Sequence, residues 1–142
     1  LLKREKERNP FLLFLYNPLM PKISPRKEVV EHPLYRAAMA AQHLAYQLMR
    51  EVPPEHKAAA TRLHASLVHA TTYAAYAVDP DVTDKDAQWA GLVSTAGQAK
   101  RQLEPLARFA GDARDVEKLT ERISELSLAA EKGVTLTSSS PG

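Results

Sequence analysis

The sequence predicts an all-α fold: an antiparallel up-down-up-down four-helix bundle with an extended N-terminal arm. Three observations predict it. Apolar residues recur at three- and four-residue steps through four stretches of helical length. Glycine is scarce at 5 of 142 residues and aromatic content is 6%, which argues against a β-sandwich or a glycine-rich nucleotide fold. The 44% hydrophobic fraction leans on alanine, a residue that lets helices approach one another closely. A chain of this length fits one domain.

The elements follow in order. Residues 1–32 read as an arm, because prolines at 10, 18, 21 and 25 remove amide donors and restrict the residues before them. Within it, Phe11-Leu12-Leu13-Phe14-Leu15-Tyr16 is too apolar to stay in water. It packs either on this chain's own helices or on a neighbouring protein, which makes Phe11, Leu12, Phe14, Leu15 and Tyr16 candidate interface residues. The mixed charges of Lys3-Arg4-Glu5-Lys6-Glu7-Arg8, the prolines and the lack of a small-residue cleavage site argue against a signal peptide. No apolar run approaches the roughly 20 residues of a membrane span, so a cytoplasmic protein is expected.

The bundle occupies residues 33–132. Its first helix runs from Pro33 to Glu51, with proline in the first turn and Leu34, Ala38, Ala41, Ala45, Leu48 and Val52 on one face. Val52-Pro53-Pro54-Glu55 ends it and starts a second helix to Val78, whose stripe is Ala60, Leu63, Leu67, Ala70, Ala74 and Ala77. Thr83, with Asp86 three residues on, predicts a capped third helix bearing Trp89, Leu92, Ala96, Ala99, Leu103 and Leu106. Pro105 predicts a kink or a break before a last turn over residues 106–109. Gly91 and Gly97 suggest close helix contact. Asp112 caps a fourth helix, Ala113 to about Lys132, with Val116, Leu119, Ile123, Leu126 and Ala130 as its seam. Opposite that seam Arg114–Glu117, Lys118–Glu121 and Arg122–Glu125 pair at three-residue spacing on a solvated face. Gly133 predicts the helix end, leaving 133–142 as a flexible tail.

Little in the sequence points to catalysis. There is no cysteine, so thiolate metal sites, disulfides and a cysteine nucleophile are excluded. Bundle metal sites use Glu-x-x-His pairs on two helices, and the chain has none. No metal and no cofactor are expected. His32, His43, His56, His64 and His69 are expected at the surface or its boundary. Ser66 and Ser94 lie in predicted helices without a Gly-x-Ser-x-Gly turn. The expectation is a protein that is not an enzyme.

The net charge is +2, unevenly spread. Residues 1–28 hold seven Lys/Arg against three Glu, and residues 57–78 hold Lys57 and Arg62 with no acid. Arg36, Arg50, Lys57, Arg62, Lys100, Arg101 and Arg108 are therefore candidate nucleic-acid contacts, with Tyr35, Tyr46, Tyr73 and Tyr76 as candidate stacking surfaces for bases. The plainer alternative is that the arginines keep the surface soluble and the tyrosines straddle the core edge.

His32-Pro33-Leu34-Tyr35 at a helix start, the Val52-Pro53-Pro54-Glu55-His56-Lys57 turn, and the early Arg62 of the following helix carry a resemblance in layout, over about 100 residues. This order resembles the four-helix-bundle proteins encoded in intervening sequences of large-subunit ribosomal RNA genes. It is also similar to their relatives, the accessory variability determinants of diversity-generating retroelements. Ala75-Tyr76-Ala77-Val78-Asp79 stands where many relatives have an Asn-Ile-Ala-Glu-Gly type ending. The resemblance implies a homo-oligomeric ring, often a pentamer, with a basic surface that binds RNA and a reverse transcriptase. It assigns the RNA-facing role to Arg50, Lys57 and Arg62. The alternative function is a subunit that joins a larger assembly through its apolar arm and binds no nucleic acid.

Overall fold

The computed structural model describes residues 26–109 and 113–139, with side chains described in the last helix for residues 114–134. The candidate interface residues Phe11, Leu12, Phe14, Leu15 and Tyr16 lie outside the described residues, as does the candidate cap Asp112. The described residues form five α-helices that pack into a helical bundle, and no strand occurs among them. The helices are α1 (Lys27–Glu31), α2 (Pro33–Glu51), α3 (Lys57–Val78), α4 (Lys85–Leu106) and α5 (Ala113–Ser139). Contacts link α2 to α3, α3 to α4, α4 to α5 and α5 back to α2, so each long helix buries its apolar stripe against two neighbours.

The first helix of the sequence reading, α2, begins and ends where expected. Its start is secured by the side chain of His32, whose Nδ1 accepts a hydrogen bond from the Leu34 amide at 3.1 Å, satisfying one of the donors that a helix start leaves open. At its other end the chain bends through extended Val52 and Pro53, and a 3-10 turn at Pro54–His56 leads into α3. The buried line of α3 includes Ala60, Leu63, Leu67, Ala70 and Ala74, as its stripe predicts.

Three expectations need correction. The arm is not extended up to residue 32, because Lys27–Glu31 forms α1. Between Pro25 and Pro33 the chain has room for little more than one helical turn, and the turn forms because Val29, 1% exposed, packs under it. The helix after residue 80 starts at Lys85 behind Asp84, and no side-chain cap bond closes it, so Thr83 is not its cap. After Pro105 the outcome is close to the expected one, since α4 ends at Leu106 and a 3-10 turn at Ala107–Phe109 makes the last turn. Finally, Gly133 does not stop α5, which runs on to Ser139. That glycine serves packing instead, since a Cβ built there would lie 2.2 Å from the Trp89 ring on α4.

The core contains Leu48, Leu63, Leu67, Leu92, Leu103, Leu106, Leu119, Ile123 and Leu126, with alanines between them. Gly91 makes the second close approach, with the Tyr73 ring of α3 at 2.3 Å from a Cβ built there. Gly97 makes none of this kind, its nearest neighbour being the Arg101 guanidinium at 3.6 Å.

Candidate functional site: the basic end of the bundle

The seven basic candidates are all exposed, but they do not form one surface. Arg50 and Lys57 flank the α2–α3 connection, and the Lys57 ammonium donates to the Arg50 carbonyl at 3.4 Å. Arg108 sits in the 3-10 turn after α4. That turn reaches the same end of the molecule, because Phe109 stacks on His56 with ring centroids 3.8 Å apart and planes 19° from parallel. Arg50, Lys57 and Arg108 thus belong to the two connections that this stacked pair joins. Phe109 is 41% exposed, so this pair offers a flat face to solvent. The acids Glu51 and Glu55 are exposed at the same connection.

Arg62 lies five residues into α3, and its carbonyl accepts from Ser66, whose hydroxyl also meets Gln102 Oε1 at 2.7 Å. Arg101 is the neighbour of that glutamine on α4. Lys100 belongs elsewhere, at the rim of a cavity of about 190 Å3 between α4 and α5 lined by Leu103, Glu104, Ala107, Thr120 and Ile123. Arg36 precedes Arg50 by fourteen residues on one helix, about 21 Å along its axis, so it stands apart from the cluster.

The tyrosines proposed as stacking surfaces are engaged in packing. Tyr46 meets the His64 ring at 5.6 Å, Tyr73 lies over Gly91, and burial raises the Tyr35 and Tyr76 hydroxyl pKa values, Asp79 adding to the rise at Tyr76. The exposed stack that does exist, His56 on Phe109, carries no sequence signal. It arises only when two connections 53 residues apart meet at one end.

His64 is a further correction. It is 2% exposed rather than at the surface, and desolvation lowers its pKa. Its Nδ1, the Oε1 of the buried Gln42 and the hydroxyl of Tyr76 are buried polar atoms with no hydrogen-bond partner among the described residues. Among the described residues no group of three or more His, Cys, Asp or Glu is placed to hold a metal ion, and no helix is long and apolar enough to cross a membrane. No protein-family model, curated protein or solved structure matches the chain.

Proposed function

We propose that this protein is a non-catalytic accessory protein that binds RNA through the end bearing Arg50, Lys57, Arg108 and the His56–Phe109 stack. The observation that carries this reading is the exposed His56–Phe109 stack, next in sequence to Lys57 and Arg108, with the Lys57 ammonium bonded to the Arg50 carbonyl. Stacking on an aromatic face tolerates any base, and cations beside it neutralise the adjoining phosphates. The resemblance in layout to the intervening-sequence and retroelement proteins supports the same direction. From that likeness come a homo-oligomeric, pentamer-type ring and a reverse transcriptase as partner enzyme, and a cytoplasmic location goes with this reading.

The proposed scaffold is the antiparallel up-down-up-down arrangement. Support comes from the pairs that meet. Ser66 faces Gln102 and Tyr73 faces Gly91, so numbers rise along α3 as they fall along α4. Short connections between successive helices favour the same topology.

The test is a gel-shift titration of the full chain with a structured RNA at about 50 and about 200 mM salt. Binding that weakens steeply with salt is expected. The triple variant R50A/K57A/R108A should lower the salt slope by about 2 to 3, one for each phosphate contact removed. A wild-type protein that binds no RNA at the lower salt ends this reading.

A further inference from the structure

The large apolar side chains exposed among the described residues are Val30, Phe109 and Leu128, and of these Phe109 alone presents an aromatic face. Trp89 and the tyrosines at 35, 46, 73 and 76 are partly buried. Two connections hold the Phe109 ring in place. His56 closes the 3-10 turn behind Pro53, its amide donating to the Pro53 carbonyl at 2.9 Å, and Pro53 and Pro54 fix the backbone there. Phe109 ends the 3-10 turn that follows α4. The imidazole lies against one face of the phenyl ring, so the 41% exposure of Phe109 belongs to its other face and its edge. A ring already held by a neighbour has little rotamer freedom left to lose when a ligand joins the column.

Charge by itself distinguishes this end weakly. Arg50, Lys57 and Arg108 are exposed, and so are Glu51 and Glu55, which leaves these five residues with an excess of a single positive charge. Such an excess is screened beyond about 8 Å at physiological salt. Stacking on an aromatic side chain, by contrast, changes affinity about 5- to 150-fold per base. Inside a duplex the faces of each base are covered by its neighbours in the stack, so an RNA can lay a base on Phe109 only at an unpaired nucleotide or at a helix end.

We propose that the free face of Phe109 seats one unpaired base, so that the RNA class this end selects is one offering an unpaired nucleotide, with a continuous duplex the poor ligand. This assignment rests on the RNA-binding reading above and narrows it. The base extends the His56–Phe109 column, and Lys57 and Arg108, next in sequence to the two rings, meet the phosphates on either side of it.

Gel-shift titrations of the full chain with three RNA duplexes test it, each closed at both ends by nucleotide-free linkers. One is fully paired, one carries a single bulged adenosine, and one carries a reduced abasic residue in place of that adenosine. The duplex with the bulged adenosine should bind about 5- to 150-fold tighter than the other two, which should agree within about twofold. Phe109→Ala should bring all three to the weaker affinity and leave the salt slope unchanged, since no cation is lost. Equal binding of the three by the wild-type protein, a comparison that needs no variant to fold, overturns the unpaired-base assignment and leaves RNA binding standing. A preference for the adenosine that survives Phe109→Ala overturns it as well, because the base is then read elsewhere. Binding to none of the three at low salt ends the RNA-binding reading itself, and this assignment with it.

Discussion

At the scale of single residues, two glycines in helices have different fates on gaining a methyl group. Alanine is favoured over glycine in a helix by about 1 kcal/mol. At Gly97 the nearest atom is the flexible Arg101 guanidinium at ordinary contact distance, so Gly97→Ala should stabilise the protein by about 0.5–1 kcal/mol. At Gly133 the new carbon would fall inside the Trp89 ring system. The ring must move as a unit, so Gly133→Ala should cost about 1–3 kcal/mol, typical of overpacking. Urea denaturation of the two variants, compared with wild type, checks both signs.

His64 makes a prediction in pH. Its folded pKa lies below the ordinary value of 6.5 because burial disfavours the charged ring. Between the two values the unfolded chain holds more protons than the folded one, so folding stability rises with pH there. The loss should therefore begin as pH falls below about 6.5 and continue until His64 itself protonates. His64→Leu should flatten that part of the acid limb of urea midpoint against pH, and a limb unchanged by the substitution would contradict it.

At the scale of elements, α3 ends on a borrowed cation. The Lys85 ammonium donates to the Tyr76 carbonyl at 3.1 Å and to the Asp79 carbonyl, where the last carbonyls of a helix concentrate negative charge. Lys85→Met should cost about 1–2 kcal/mol, and amide exchange should quicken in the last turn of α3 more than at its middle. Uniform exchange along the helix would count against local capping.

The elements also show what a sequence reveals and what it hides. The bounds of α2 were readable because Pro33 and Val52-Pro53-Pro54 act locally, through lost amides and restricted backbone. The end of α5 was not, because Gly133 looks the same whether it closes a helix or lets an indole approach. Only the partner helix decides. Helix α1 was hidden for a related reason, since five residues carry no periodicity and the fold of Lys27–Glu31 depends on the burial of Val29. At the candidate site, Arg50 and Lys57 could be grouped from adjacency to one turn. Phe109 could not be added to them, because its stack on His56 is made by tertiary packing. The burial of His64 was not legible because it sits between buried Leu63 and exposed Ala65, and its contact with Tyr46 is made by tertiary packing.

At the scale of the whole molecule, the alanine-lined interior sets how much the protein can stabilise alone. Alanine buries less apolar area than leucine, so self-association is a natural supplement, and light scattering coupled to size exclusion should return a mass above the 15.7 kDa of one chain. A monomer across the micromolar range would remove the ring from the proposed function while leaving the RNA test standing.

The seating of Trp89 over Gly133 also has a practical reach. The chain contains a single tryptophan, so its emission comes from the contact that α4 makes with Gly133 of α5. A blue-shifted spectrum that reddens before the circular dichroism signal falls would report that α5 peels away ahead of global melting. The native protein thus carries its own optical gauge of that fraying, with no dye attached.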